Sequence, residues 1–162
     1  MIALEPMTQA QFEDYLERAV PEYAQAHLEA GDCDPDLALQ LARADYASLL
    51  PAGLKSDDHY LYTINAPGAL QPIGMVWFEL REQDGRKSAF IYDFRIDESQ
   101  RGKGYGKATL ARIDEQLKSM GARSVSLNVM GHNHRARALY EKHGFRVTGI
   151  GMRKVFAARQ EP

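Results

Sequence analysis

Apolar positions change their period along this chain, and each change marks an element. Met1 to Leu4 reads as a short first strand. Phe12, Leu16 and Ala19 then recur at helical spacing, which predicts a helix over residues 9–19 with Thr8 as its cap. Pro21 suits the first turn of a second helix through Tyr23, Ala26, His27 and Leu28, closed by Gly31. Asp34 or Asp36 opens a third helix carrying Leu37, Leu41, Ala44, Tyr46, Leu49 and Leu50, and Pro51-Ala52-Gly53 stops it. The period then drops to two. Residues 59–65, 72–82 and 88–96 read as strands, the last two joined by a hairpin around Asp84-Gly85. Gly106, Leu110, Ile113 and Leu117 return to one helical stripe over residues 104–120, ended by Gly121. A strand over 124–130, a helix over 133–143 and two closing strands over 145–147 and 150–158 complete the pattern.

The order is helices, an antiparallel meander, then strand–helix–strand–helix–strand. The helical crossover implies a parallel pair inside a mixed sheet, an α/β (α+β) fold. At 162 residues the chain suits one domain with one core. A net charge of −2 gives no basic footprint for nucleic acid. No apolar run reaches membrane-spanning length. The lone Cys33 forms no internal disulfide, and the first residues lack a signal-peptide pattern, so a reducing, cytoplasmic setting is expected. Cysteine and histidine spacings predict no metal site.

Candidate chemistry concentrates in Gln100-Arg101-Gly102-Lys103-Gly104-Tyr105-Gly106-Lys107. A strand, a glycine- and cation-rich turn and a helix start are how a backbone holds phosphate groups. Two phosphate loops fail on spacing. Ala108 stands where a Walker loop needs its hydroxyl, and Arg101 where it needs its first glycine. Counting from Gly102, the third glycine of a dinucleotide fingerprint falls on Lys107. What fits is R-x-x-G-x-G, as Arg101, Gly104 and Gly106. This resembles the acetyl-CoA loop of the GNAT superfamily of N-acetyltransferases. Downstream, Asn133 to Phe145 reads N-x-x-A-x-x-L-Y-x-x-x-G-F, similar to the segment that follows the fifth strand in that family. The resemblance covers about residues 59–156 and is nearest to bacterial members of unassigned substrate.

The resemblance implies a GNAT fold: a mixed, mostly antiparallel sheet flanked by helices and splayed between its fourth and fifth strands, where acetyl-CoA enters. Residues 1–162 would form one such domain, with 1–55 shaping the acceptor side and 59–156 the CoA-binding core. The backbone amides of Gly102, Lys103, Gly104, Tyr105, Gly106 and Lys107 would hold the pyrophosphate, with Arg101, Lys103 and Lys107 adding charge. Phe94 and Ile96 would pair with the pantetheine arm through their backbones, and a strand bulge near Ile96 would free an oxyanion donor. Tyr140 takes the place of the general acid that protonates the leaving thiolate. Asn133 can both cap its helix and meet CoA.

Other roles stay open. The acceptor amine must lose a proton, and Glu79, Asp93 and Tyr92 are candidate bases, with His132 and His134 better read as solvent-facing. The resemblance implies direct attack in a ternary complex, with no acetyl-enzyme. The acceptor is an amine-bearing small molecule or protein. A non-catalytic acyl-CoA sensor and a transferase for another acyl-CoA, its acyl group met by Arg95, are the competing readings. The closing strands are a candidate homodimer contact.

Overall fold

A computed structural model describes residues 1–29, 31, 34–154 and 156. Its elements are β1 (Ala3–Pro6), α1 (Gln9–Glu29), α2 (Ala38–Leu49), β2 (His59–Asn65), β3 (Gly74–Gln83), β4 (Arg86–Ile96), α3 (Tyr105–Ser119), β5 (Val125–Leu127) and α4 (His134–Lys142). The five strands form one sheet in the order β1-β2-β3-β4-β5. All neighbours are antiparallel except β4 and β5, which are parallel as the helical crossover requires.

Thr8 opens α1 with a reciprocal cap. Its N–H donates to Gln11 Oε1 at 2.9 Å, and Gln11 N–H donates to Thr8 Oγ1 at 3.3 Å. The helix then runs without a break past Pro21, so one helix replaces the two expected from the sequence. Pro21 and Glu17 are both exposed, and water can satisfy the Glu17 carbonyl that loses its donor.

Each face of the sheet carries its own core. Phe12 and Tyr15 of α1 pack with Leu61, Met75 and Trp77 on one side. Leu110, Ile113 and Leu117 of α3 pack with Val76, Phe78, Ala89 and Ile91 on the other, as the expected α3 stripe requires. Alternation along β3 explains the division, since Met75 and Trp77 point one way and Val76 and Phe78 the other.

Strand β4 departs from this regularity. Trp77 pairs with Asp93 but Phe78 pairs with Ile91, which leaves Tyr92 as an extra residue. The bulge is therefore at Tyr92, four residues before the position expected for it at Ile96. It sends Tyr92 and Asp93 to the same side: Tyr92 stacks on Trp77, and Asp93 meets Tyr15 of α1. Ile91 and Phe94, on either side of the bulge, stay with the α3 core.

The parallel pairing of β4 with β5 ends where the bulge begins. Ala89, Phe90 and Ile91 face Val125, Ser126 and Leu127, and the ladder stops there. The expected strand over 124–130 is thus shortened, because a bulge bends and twists β4 away from its neighbour. The edge of β4 at Phe94, Arg95 and Ile96 lies in the gap so opened. The two closing strands expected over 145–147 and 150–158 do not form among the described residues. Residues 155, 157 and 158 of the second, like Cys33, lie outside those described.

Candidate acyl-transfer site

Loop 101–104 joins the end of β4 to α3, and its own residues hold it in place. Arg101 Nε donates to Ile96 O at 2.9 Å, clamping the loop to the strand. Lys103 Nζ donates to Gln100 Oε1 at 3.0 Å. Gly102 and Gly104 both adopt positive φ, 79° and 83°, which glycine takes without strain. A Cβ at either position would meet nothing within 4 Å. The space beside the backbone is open, which is the room a pyrophosphate needs. Gly104 caps α3, and Ala108 is the first amide to bond back, to Gly104 O at 3.2 Å. The amides of Tyr105, Gly106 and Lys107 have no intrahelical acceptor, as at any helix start, and they can receive an anion. The Tyr105 ring packs against the cluster of Ile2, Ile64, Ala66 and Ile73 and so anchors the first turn.

Helix α4 brings the second motif to this loop. Asn133 Oδ1 accepts from Ala136 N–H at 3.1 Å, so Asn133 is the cap, and its Nδ2 is left to donate outward. Arg137 pairs with Glu141 at 2.8 Å. Leu139 packs on Gly106. Tyr140 is half-buried, its ring 6.4 Å from Phe94 and 5.5 Å from Phe145. Burial raises the Tyr140 hydroxyl to about pKa 12, and the nearby Asp93 charge adds to the rise. The group therefore stays protonated at neutral pH. His132 and His134 are exposed.

The candidate bases separate on electrostatics. Burial pushes the Asp93 carboxyl above the usual aspartate range, while Arg95 and the Tyr15 hydrogen bond pull it back only in part. Tyr15 Oη donates to Asp93 Oδ2 at 3.1 Å. Glu79 is different. Burial raises it, but hydrogen bonds from Arg81 and Tyr92, each 2.8 Å long, outweigh that and hold it low. Tyr92 is raised, first by burial and then by Glu79. Arg95 is engaged by Glu22 through both carboxylate oxygens, across from β4 to α1. Burial and Asp93 also raise Tyr15, which the sequence pattern passed over although it follows Phe12 by one helical turn. Beside this group, Trp77 Nε1 donates to His59 Nδ1 at 3.0 Å, a pair with no signal in the sequence.

Among the described residues no group of His, Cys, Asp or Glu is arranged to hold a metal. No described helix is long and apolar enough to cross a membrane.

An open glycine-rich turn, a capped helix carrying a protonated tyrosine, and a sheet whose β4–β5 pairing stops at Ile91 and Leu127 form one assembly. Residues 11–145 match the Acetyltransferase (GNAT) family. The chain belongs to the GNAT acetyltransferases. YycN of Bacillus subtilis (strain 168), described as an uncharacterized N-acetyltransferase, is 38% identical over 153 residues, 94% of this chain and 97% of YycN. YdgE of the same organism, described in the same words, is 34% identical over 152 residues, 93% and 96% of the two chains. The crystal structure of YycN superposes with a TM-score of 0.90 at 37% identity, covering 98% of this chain and all of that one. As a GNAT fold, the molecule is an acyl-CoA-dependent transferase in general.

Proposed function

We propose that this GNAT protein transfers acetyl from acetyl-CoA to a primary amine by direct attack in a ternary complex. One observation carries the reading: the β4–β5 ladder ends at Ile91 and Leu127, and the protonated Tyr140 stands beside Phe94 at that gap. Acetyl-CoA supplies an activated thioester, and everything else is the work of this chain. Amides of Gly102, Lys103, Gly104, Tyr105, Gly106 and Lys107 bind the pyrophosphate, and Lys103 and Lys107 add charge. Arg101 fixes the loop to Ile96 and leaves its outer nitrogens for the phosphates. The backbone edge at Phe94 and Ile96 aligns the pantetheine amides as an added strand would. Asn133 Nδ2 donates to the arm. Backbone freed at the Tyr92 bulge is the donor for the developing oxyanion, in place of the one expected near Ile96.

Tyr140 Oη gives its proton to the departing thiolate sulfur. Asp93 takes the proton of the attacking amine, directly or through water. Its raised affinity for a proton suits it to that task better than Glu79, whose carboxylate is already satisfied.

The test is release of free CoA thiol by the purified chain from acetyl-CoA across a panel of amines. Turnover with at least one amine is expected, and Tyr140→Phe lowers kcat by about 10²–10⁴-fold, the range for a general acid. Acetyl-CoA affinity changes little in that variant. Unchanged turnover in Tyr140→Phe removes the acid role. Tight acetyl-CoA binding without turnover on any amine turns the reading to a sensor. A larger, anionic acyl group met by Arg95 is disfavoured, because Glu22 already occupies that guanidinium.

A further inference from the structure

Just past Asp93 on the α1 side of the sheet, the chain's own Arg81 fills a site built for a cation. Alternation along β3 puts Glu79 and Arg81 on the same side as Trp77. Phe90 stands across from Glu79, as Asp93 does from Trp77. The Arg81 guanidinium lies 4.7 Å from the centre of the Phe90 ring and 5.9 Å from that of Tyr92. Its Nε donates to Glu79 Oε2 at 2.8 Å, and its Nη2 donates to Tyr92 Oη at 2.9 Å. Tyr92 Oη donates in turn to the same Glu79 oxygen at 2.8 Å. One carboxylate, one phenol and two aromatic rings thus surround a positive charge.

The walls are firmer than the occupant. Tyr92 stacks on Trp77 with centroids 4.5 Å apart, and meets Phe90 edge-on at 4.9 Å. The Glu79 side chain is 23% exposed, whereas that of Arg81 is 48% exposed. So exposed a partner contributes little, and its long stem can carry the charge out into water.

The cation and the donor take opposite ends of β4, with the bulge between them. Phe94 and Ile96, the edge proposed for the pantetheine arm, follow the bulge, and Phe90 precedes it. Trp77 and Glu79 are two residues apart on β3, so the carboxylate lies about 7 Å along the strand from the position opposite Asp93.

We infer that Glu79, Tyr92 and Phe90 form a subsite for a second positive charge on the acceptor, that this charge displaces the Arg81 guanidinium, and that the acceptor is an alkyl diamine. The inference rests on the transfer proposed at Asp93 and names its acceptor class. One amine of the acceptor gives its proton to Asp93. The other, with an ordinary pKa of about 10.4, stays charged and takes the place of the guanidinium. A short alkyl chain spans the interval between them. A neutral acceptor gains nothing from the carboxylate, and an anionic one faces Glu79, whose charge already balances Arg81.

Turnover with acetyl-CoA is compared for cadaverine and n-pentylamine, which share a chain length and differ by one charge. The diamine should show a kcat/KM about 10- to 100-fold higher, the range for a hydrogen bond to a charged group. Glu79→Gln should remove most of that ratio, chiefly through the KM of the diamine. Arg81→Ala should lower the diamine KM about two- to fivefold, because a half-exposed ion pair no longer competes. A ratio near one in the wild type, or a ratio that survives Glu79→Gln, overturns the subsite while transfer to amines stands. A raised diamine KM in Arg81→Ala also overturns it, since the arginine is then part of the site and not its placeholder. Binding is read apart from chemistry through the emission of Trp77, the chain's only tryptophan, titrated with each amine without acetyl-CoA. This titration of the wild type also decides should Glu79→Gln not fold. Saturable binding of cadaverine but not of n-pentylamine, with no turnover of any amine, supports the subsite and removes the transfer reading. Equal binding of the two amines overturns the subsite.

Discussion

Gly106 lies against Leu139: a Cβ at position 106 would stand 3.1 Å from Leu139 Cδ2. The first turn of α3 and the α4 segment therefore touch where position 106 carries no side chain. Gly106→Val should cost about 1–3 kcal/mol of stability by overpacking this contact. Leu139→Ala in the same chain should recover part of that loss. Denaturant unfolding of the four proteins of the cycle checks the coupling, expected to exceed about 0.5 kcal/mol. Strict additivity would mean that the contact is not shared.

Gly104 offers the complementary case, since a Cβ there meets open space while φ is +83°. Gly104→Ala should therefore lose about 1–2 kcal/mol to the left-handed conformation alone. Its acetyl-CoA affinity should fall more than tenfold, because the added methyl enters the space assigned to phosphate. Calorimetric titration against denaturant unfolding separates the two effects. An alanine that weakens folding but not binding would move the phosphate site elsewhere.

Asp93 trades stability for chemistry. Its folded pKa is raised by burial above the ordinary value of 3.8, so the folded state holds the proton more tightly than the unfolded chain. Such a group lends stability only at low pH and withdraws it as pH rises through the folded pKa. Asp93→Asn keeps an acceptor for Tyr15 and removes the buried charge. It should melt higher than wild type at pH 7 to 8, with the difference shrinking as pH falls towards 3.8. Turnover should fall in the same variant. Thermal unfolding across pH, read beside kcat, tests both halves.

His59 acts with the opposite sign. Its pKa is lowered, by burial first, below the ordinary 6.5, and Glu79 opposes that only in part. Protonating Nδ1 would also abolish the acceptor that Trp77 uses. The stability it lends is complete above pH 6.5 and is lost as pH falls through the lowered folded value. His59→Ala should leave the buried Trp77 donor unsatisfied, at a cost of about 1–3 kcal/mol. The variant should also lose the part of the acid-side decline in melting temperature that His59 causes. An unaltered pH profile would assign that decline to other groups.

Much of the candidate site's local geometry was legible because its requirements are local. Gly102 and Gly104 are demanded by positive φ, and Asn133 by an orphan amide at Ala136. Each is a constraint that a few neighbouring residues impose on one another, and it therefore leaves a fixed spacing in the chain. The Arg101 clamp on Ile96 is of the same kind, five residues apart across one turn. The pairing of Tyr15 with Asp93 was not legible, because α1 and β4 meet only after the sheet has formed.

The sequence alone determined the order of the five strands and of helices α3 and α4, the buried stripe of α3, and the turn and cap positions of the candidate donor site. These follow from hydrophobic period and from turn and cap chemistry, which act within a few residues. Tertiary structure decided the rest. The bulge at Tyr92 exists only as a mismatch of count between β4 and β3, so no reading of β4 by itself could place it. That one extra residue puts Tyr92 and Asp93 on the same face, and the β4–β5 pairing stops beside it. Helix α1 continues through Pro21, where Pro21 and Glu17 are both exposed and water can satisfy the Glu17 carbonyl. The closing segment shows the same limit from the other side: its alternation predicts strands over 145–147 and 150–158, but alternation does not supply the neighbour a strand must pair with, and none forms among the described residues.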